Sequence, residues 1–307
     1  MKADIHFCVV MPVKNDARSA GYLVQQLNES FKEAQISISI FLVDDASSKV
    51  ENALLRSIEK DNQNVCLVQT KARLGHQRAL LMGVRESSAQ RGSYSNLILM
   101  DSDGEDKAEH AVKLAKYLLE NQDFQVVFSQ RGKRYSSRSF VVLYSLFSRL
   151  FRRLTGVPLD VGNFMAIKGD WVKILLNLPH VSNHIAMSAQ RYAPNSHKVL
   201  NDRGSRYLGK SKMNFSGLAL HGYGAISVYA DIILSRMLLV AIPSGLIAIL
   251  SSVVLALMKF FGLANFLQGW VSIVSLFLLG FGLLTVIQLV TTTLILLSIQ
   301  RNDNEQD

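Results

Sequence analysis

Residues 96–106, NLILMDSDGED, decide how this chain is read. Asn96–Met100 has the length and apolar make-up of a buried strand, and two carboxylates, Asp101 and Asp103, stand directly behind it. Working outward, His6–Val13 reads as another buried strand, followed by a helix over Ser19–Ala34. A strand over Ile36–Val43 ends in the acidic pair Asp44 and Asp45. A helix over 50–60, a strand over Val65–Gln69 and a helix over 75–90 continue the alternation. Strands and helices alternating at this spacing predict an α/β fold with a mostly parallel sheet covered on both faces. In such sheets ligands sit beyond the carboxyl ends of the strands, at the point where the strand order reverses. Pro12, Val13 and Asp16 after the first strand, Asp44 and Asp45 after the second, and Asp101 and Asp103 after the fourth are thus expected on one edge. Converging carboxylates repel one another unless a cation or hydrogen-bond donors sit among them.

Asp101-Ser102-Asp103 gives that edge a chemistry. Two carboxylates two residues apart can help hold a hard octahedral cation, Mg²⁺ or Mn²⁺, which in turn bridges the diphosphate of a nucleotide sugar. Acidic residues also cap helices and decorate turns, so the motif takes its weight from its neighbours.

The C-terminal part has a different character. Met237–Phe261 carries one charge, near its end, and Val271–Ile299 carries none. Each run is long enough to cross a hydrocarbon core of roughly 30 Å as a helix. The loop Gly262–Gly269 has no Lys or Arg, whereas Lys210, Lys212 and Arg236 precede the first run and Arg301 follows the second. By the positive-inside rule the loop is expected outside and both termini in the cytoplasm. Residues 1–230 then form one cytoplasmic domain with juxtamembrane helices, and 231–307 a two-helix anchor with spans of about 237–261 and 271–299.

The formal charge of +9 invites a nucleic-acid reading, but no nucleic-acid motif is present and much of the basic charge lies near the membrane segments. Anionic headgroups and phosphorylated substrates suit that placement better. The two cysteines, Cys8 and Cys66, lie within apolar strands and imply neither a disulfide framework nor a thiolate metal site. The start, MKADIHFCVVMPV, has too short an apolar run for a signal peptide, so insertion is expected to depend on the C-terminal spans.

The stretches VVMPVKND, IFLVDDASS, LGHQRAL, LILMDSDGED and RYLGKSKM, in that order, resemble glycosyltransferase family 2 with its GT-A, Rossmann-like nucleotide-sugar-binding fold. With the two C-terminal spans, the likeness is to polyprenyl-phosphate glycosyltransferases of the dolichol-phosphate mannosyltransferase type. The resemblance implies that Pro12, Val13, Asp16, Asp44, Asp45 and Asp101 line the nucleotide pocket. Asp101 and Asp103 would face the diphosphate and hold the metal, with Asp103 the direct ligand. Asp106 and Glu109 keep their places in a segment where the family has Gln-Asp-Pro-x-Glu, while Glu105 replaces the Gln. Gly162-Asn163-Phe164-Met165 stands where the lipid-phosphate branch tends to show Gly-Asp-Phe-Arg, a departure that bears on the acceptor.

Arg131, Arg134 and the run Arg203, Arg206, Lys210 and Lys212 are the candidate phosphate contacts, since Arg pairs bidentately with phosphate oxygens and Lys acts as a mobile point charge. Arg131, Arg206 and Lys212 are assigned with Asp103 and Asp106 to catalysis, and Arg134, Arg203 and Lys210 to the acceptor phosphate. Gly75 and His76 open a helix whose N-terminus can attract a phosphate; the plainer reading, a tight turn and a surface His, is preferred for His76. Phe140, Leu143, Phe147, Leu150, Phe151 and Leu154 recur at helical spacing among Arg149, Arg152 and Arg153, which fits an interfacial helix or a core-facing one. Met213–Tyr229 is read as a second interfacial helix.

The implied activity is metal-dependent, inverting transfer of one sugar from a nucleoside diphosphate to a polyprenyl phosphate at the cytoplasmic face of the cell membrane, with no nucleic acid involved and homo-oligomerisation left open. An anionic phosphate acceptor needs little general-base help. Transfer to a lipid-linked saccharide or other hydroxyl acceptor would instead require a base such as Asp106. From another class, a scaffold that only binds nucleotide would release no nucleoside diphosphate. Asp103→Asn is expected to abolish transfer at little cost in stability, since it keeps side-chain volume.

Overall fold

The computed structural model describes residues 5–91, 95–131, 138–202, 204–208, 222–263 and 269–304. Its first half alternates β1 (His6–Val13), α1 (Ala17–Glu33), β2 (Ser37–Asp44), α2 (Lys49–Asp61), β3 (Val65–Gln69), α3 (His76–Arg91), β4 (Asn96–Leu99) and α4 (Ala108–Glu120). There follow β5 (Val126–Arg131), α5 (Arg138–Thr155), β6 (Met165–Ile167), α6 (Gly169–Leu176), α7 (Ile185–Tyr192) and β7 (Ser196–Asn201). A helical stretch over 222–227 (α8) leads to α9 (Ala230–Phe260) and α10 (Trp270–Asn304).

The strands form one sheet in the order β3-β2-β1-β4-β6-β5-β7. β1 pairs in parallel with β2 and with β4, β2 with β3, and β5 with β7; β6 alone runs against its neighbours β4 and β5. The strand order reverses between β1 and β4, which is where this class of sheet binds ligands. The expected α/β architecture is therefore found. The strands beyond residue 100 were not anticipated from the sequence, and β6 is only three residues long.

The near-continuous apolar runs of the strands follow from burial on both faces. Along β1, Phe7, Val9, Met11 and Val13 join Leu23, Val24, Leu27 and Phe31 of α1 and Ala111, Leu114 and Ala115 of α4. Cys8 and Val10 point the other way, into a second layer with Ala79, Leu80 and Val84 of α3 and Trp171, Val172 and Leu175 of α6. Burying each of the larger of these, Val, Leu, Met or Phe, contributes about 1.5–3 kcal/mol, so the sheet and its two helical layers fix the edge on which the loops converge.

The chain divides into two compact units: residues to Phe147 with Pro158–Val228, and Ser148–Val157 with Tyr229 onward. In the second unit, α9 and α10 are each long and apolar enough to cross a membrane. Leu239, Val240, Leu276 and Phe277 stand 71–76 % exposed, where the core helices of a soluble bundle would bury such residues. A Cβ on Gly245 would come within 2.3 Å of Thr285 Oγ1, so the two helices approach closely only because that position lacks a side chain. α9 starts earlier than its apolar run, at Ala230, so Ala230–Arg236 adds about two turns before the run begins. Arg236 Nη1 then donates to the carbonyls of Arg153 and Leu154 (3.1 and 2.8 Å), covering the C-terminus of α5.

Candidate active site

Each acidic cluster on the ligand-binding edge is held by local donors. Asp16 is the N-cap residue of α1, and its Oδ1 accepts from the Ser19 hydroxyl at 2.7 Å. Asp44 Oδ1 accepts from Ser47 N at 2.9 Å and its Oδ2 from Asn52 Nδ2 at 2.7 Å, which folds the turn into α2. Asp45 reaches across to the loop before α3, accepting from Leu74 N (2.5 Å) and Gly75 N (3.1 Å). Lys14 Nζ donates to the carbonyls of Asp45 (2.6 Å) and Ala46, joining the loops after β1 and β2. Val13 is buried, and the Pro12 carbonyl accepts from Ser102 Oγ at 2.8 Å, which ties the end of β1 to the loop after β4.

That loop is built around a turn at Gly104. Its φ of +89° is open only to glycine at low cost, and a Cβ there would lie 2.5 Å from the Tyr207 ring. Asp103 Oδ1 accepts from Glu105 N at 3.0 Å, and Asp106 Oδ2 accepts from Asp101 N at 3.0 Å. Asp106 is buried, and that bond makes it a brace beneath Asp101.

Residues 204–208, which follow β7, lie against this turn. Gly204 N donates to the Glu105 carbonyl (2.9 Å) and Tyr207 N to the Asp103 carbonyl (3.1 Å). Arg206 pairs with the Asp103 carboxylate and has Nε 3.7 Å from Glu105 Oε1. The Tyr207 hydroxyl donates to Gln26 Oε1 at 2.5 Å. Burial, with the negative charge of Asp103 adding to it, pushes the Tyr207 phenol above its ordinary pKa, against the pull of the Gln26 hydrogen bond. The phenol therefore keeps its proton at neutral pH. Behind the turn, His110 is held below its usual pKa, first by burial; Lys107 and Lys113 act in the same direction, Glu109 and Asp202 against it.

The opposite wall comes from α3 and the loop before β6. His76 Nε2 lies 3.4 Å from Asp101 Oδ1 and 2.9 Å from Asn163 Nδ2, so His76 borders the acidic motif and is more than a surface residue. Gln77 Nε2 donates to Asn163 Oδ1 at 3.2 Å, and Ile185 N donates to Gln77 Oε1 at 2.9 Å.

Asp101, Asp103, Asp106 and Arg206 thus come together, with Pro12 tied to their loop through Ser102, and Val13, whose carbonyl accepts from Asp45 N, Asp16, Asp44 and Asp45 in neighbouring loops. Arg131 ends β5, in register with Asn201. Arg134, Arg203, Lys210 and Lys212 lie outside the described residues, as does most of Met213–Tyr229. Glu105, Tyr207, Gln26, Gln77 and Asn163 were not singled out as site residues from the sequence; Glu105 and Asn163 were visible only as departures from a motif.

Among the described residues no three His, Cys, Asp or Glu side chains gather closely enough to cage an ion. Asp101 and Asp103 are hard oxygen donors on one loop, and Mg²⁺ is commonly held by one or two carboxylates together with substrate phosphates. Asp103 is already met by Glu105 N and Arg206, so these two carboxylates would hold a cation only together with substrate oxygens such as those of a diphosphate.

This edge, on a sheet of this order, is that of a GT-A glycosyltransferase. Residues 8–215 match the model of glycosyl transferase family 2, and the chain belongs to that family. It is 25 % identical over 249 residues to undecaprenyl-phosphate 4-deoxy-4-formamido-L-arabinose transferase of Serratia proteamaculans, covering 80 % of this chain and 71 % of the relative. It is 23 % identical over 167 residues to an uncharacterised glycosyltransferase of Bacillus subtilis, covering 53 % of this chain and only 50 % of that relative's length. Among solved structures, mannosyl-3-phosphoglycerate synthase from Rubrobacter xylanophilus shares the fold, with a TM-score of 0.52 at 13 % identity over 76 % of this chain and 75 % of the other.

Proposed function

We propose that this glycosyltransferase moves a sugar, with inversion, from a nucleoside-diphosphate donor to a polyprenyl phosphate at the cytoplasmic face of the cell membrane. In this reading residues 1–230 are the catalytic part and 231–307 the anchor. The observation that carries it is the cluster of Asp101, Asp103 and Arg206 at the sheet's reversal point, in a chain that also holds two helices of membrane-spanning length. The named acceptor of the Serratia relative supports the same lipid class.

The residues divide the work by charge. In-line attack at the anomeric carbon leaves negative charge on the departing diphosphate, and Arg206, aimed into the motif, would stabilise it. A divalent cation, if bound by Asp101 and Asp103 with the diphosphate oxygens, would act as a Lewis acid on the same leaving group. Asp106 keeps the Asp101 backbone in position. Nucleotide contacts fall to Pro12, Val13, Asp16, Asp44 and Asp45. Arg131, Arg134, Arg203, Lys210 and Lys212 supply positive charge for the two phosphates. A phosphate acceptor is already anionic at neutral pH and calls for no base.

Asn163 and Met165, in place of an acid and a base, favour a hydroxyl acceptor as the second reading. In that reading Asp106 would be the base; it is buried and its Oδ2 accepts from Asp101 N, so the proton would be taken by Oδ1.

Membranes containing the protein, incubated with a panel of labelled nucleotide sugars, should yield a labelled lipid only when polyprenyl phosphate is added. The product should be cleaved by mild acid, and its formation should stop on chelation. A product that resists mild acid, or that forms only on a preassembled lipid-linked saccharide, would overturn the phosphate acceptor; transfer that survives thorough chelation would overturn the metal.

A further inference from the structure

The chain of amides beside Asp101 has only one possible direction. Ile185 N is a backbone donor, so the Gln77 atom it meets at 2.9 Å is the amide oxygen. The other Gln77 atom is then the NH₂ group, and it donates to Asn163 Oδ1 at 3.2 Å. Asn163 is thereby left with its own NH₂ facing His76 Nε2 at 2.9 Å. Turning the Asn163 amide over would set NH₂ against NH₂, so the direction does not depend on how either amide is drawn. Toward Asn163, Nε2 of His76 is consequently an acceptor, which places the ring proton on Nδ1; Asp101 Oδ1 competes for a proton on the same Nε2, but at 3.4 Å it is the longer contact. Among the described residues Nδ1 has no protein partner, and the side chain is 40 % exposed on the wall facing the acidic motif.

We propose that His76 is a substrate-binding residue whose Nδ1–H donates to an oxygen of the sugar nucleotide, and that Asn163 and Gln77 are positioning residues that set this tautomer. The proposal rests on the reading that the donor is a nucleoside-diphosphate sugar. The oxygen belongs to the diphosphate or to a sugar hydroxyl; both accept one N–H. The assignment gives Asn163 a purpose: an Asp at that position has no donor, so His76 would have to present Nε2–H to it and lose the Nδ1 donor.

Two isosteric changes separate this role from a structural one. Asn at position 76 places its NH₂ near the site of Nδ1, whereas Gln places its amide near Nε2 and can still accept from Asn163. If His76 binds substrate, His76→Asn keeps most of the affinity and His76→Gln loses on the order of tenfold, the effect of one hydrogen bond. If His76 only ties α3 to Asn163, the order reverses.

The full-length protein in detergent is titrated calorimetrically with UDP, GDP, UDP-glucose and GDP-mannose, each with Mg²⁺. Imidazole nitrogens are observed by ¹⁵N NMR on histidine-labelled protein without ligand, with His76→Gln identifying the signal among the seven histidines. The expected result is Nδ1–H in the wild type, movement of the proton to Nε2 in Asn163→Asp, and weaker binding in Asn163→Asp and His76→Gln but not in His76→Asn. Loss toward UDP or GDP alone assigns the diphosphate, and loss confined to the sugar nucleotides assigns a sugar hydroxyl. Nε2–H in the wild type, or wild-type affinity in His76→Gln, would overturn this proposal alone. Failure of the wild type to bind any of the four would overturn the donor reading together with it.

Discussion

Asp103→Asn tests the site at its most charged point, and the structure alters what the sequence leads one to expect. The change keeps volume and removes the charge meant for a cation, so transfer should be lost; it also strips Arg206 of its main partner. The side chains of Asp103 and Arg206 are 10 % and 22 % exposed. Removing one member of a fully buried pair costs about 3–5 kcal/mol, because the other charge is left uncompensated. Arg206 still has Glu105 at 3.7 Å from Nε, and both side chains keep some contact with water. The loss should therefore fall to about 1–3 kcal/mol. In a domain of this size that lowers the melting temperature by about 3–10 °C. The full-length protein is melted in detergent as wild type, Asp103→Asn, Arg206→Gln and the double variant, with nucleoside diphosphate release measured in parallel. Both single variants should melt early, and the double variant should lose less than their sum by more than about 1 kcal/mol. Single variants that melt within about 1 °C of wild type, or strictly additive losses, would show that the ion pair does not hold residues 204–208 on the motif. Near-normal turnover in Asp103→Asn would remove this carboxylate from the chemistry.

Gly104→Ala should destabilise by about 1–3 kcal/mol, from its φ of +89° and the approach of the new Cβ to the Tyr207 ring, and Tyr207→Ala in the same chain should recover the steric share; an unchanged melt would refute it. His110 has a folded-state pKa below its unfolded value of about 6.5, so its contribution to stability is present above that pH and is lost as pH falls toward the lowered value. Between about pH 7.5 and 5.5 the melting temperature of His110→Gln should accordingly fall less than that of the wild type, and equal slopes would refute the assignment. A tag in the loop at 262–269 should be accessible from outside sealed cells while tags at either terminus are not; labelling of loop and termini from the same side would refute the topology.

The parts of this molecule legible in the sequence are those whose cause is local. β1, β2 and β4 are apolar runs buried on both faces, β3 is a partly buried apolar run at the sheet's edge, and the acidic residues that end or follow β1, β2 and β4 need no partner to be noticed. Helix boundaries moved where partners outside the helix decide them: the first N–H of α1, at Ala17, donates to Glu51 Oε2 at 2.8 Å, and α2 begins at Lys49 because Ser48 Oγ accepts from Glu51 N. β6 escaped because three residues carry no period, and its antiparallel place between β4 and β5 is a choice among distant strands.

The site divides in the same way. Asp101 and Asp103 are adjacent in the chain and announce themselves, but the arginine that meets Asp103 lies 103 positions away. Asp106 is noticed in the sequence through its motif, whereas its burial and the bond by which its Oδ2 braces the Asp101 backbone N–H come from the fold of the loop. His76 and Asn163 are the extreme case. Alone, each is a polar residue with a plain explanation, and Asn163 is visible only as a missing acid. Their meaning arises from a third residue, Gln77, and a fourth, Ile185, whose backbone N–H dictates the direction of every bond that follows. A motif records which side chains a strand end presents; the direction of the amide bonds from Ile185 to His76 is set by packing between elements more than 80 positions apart in the chain.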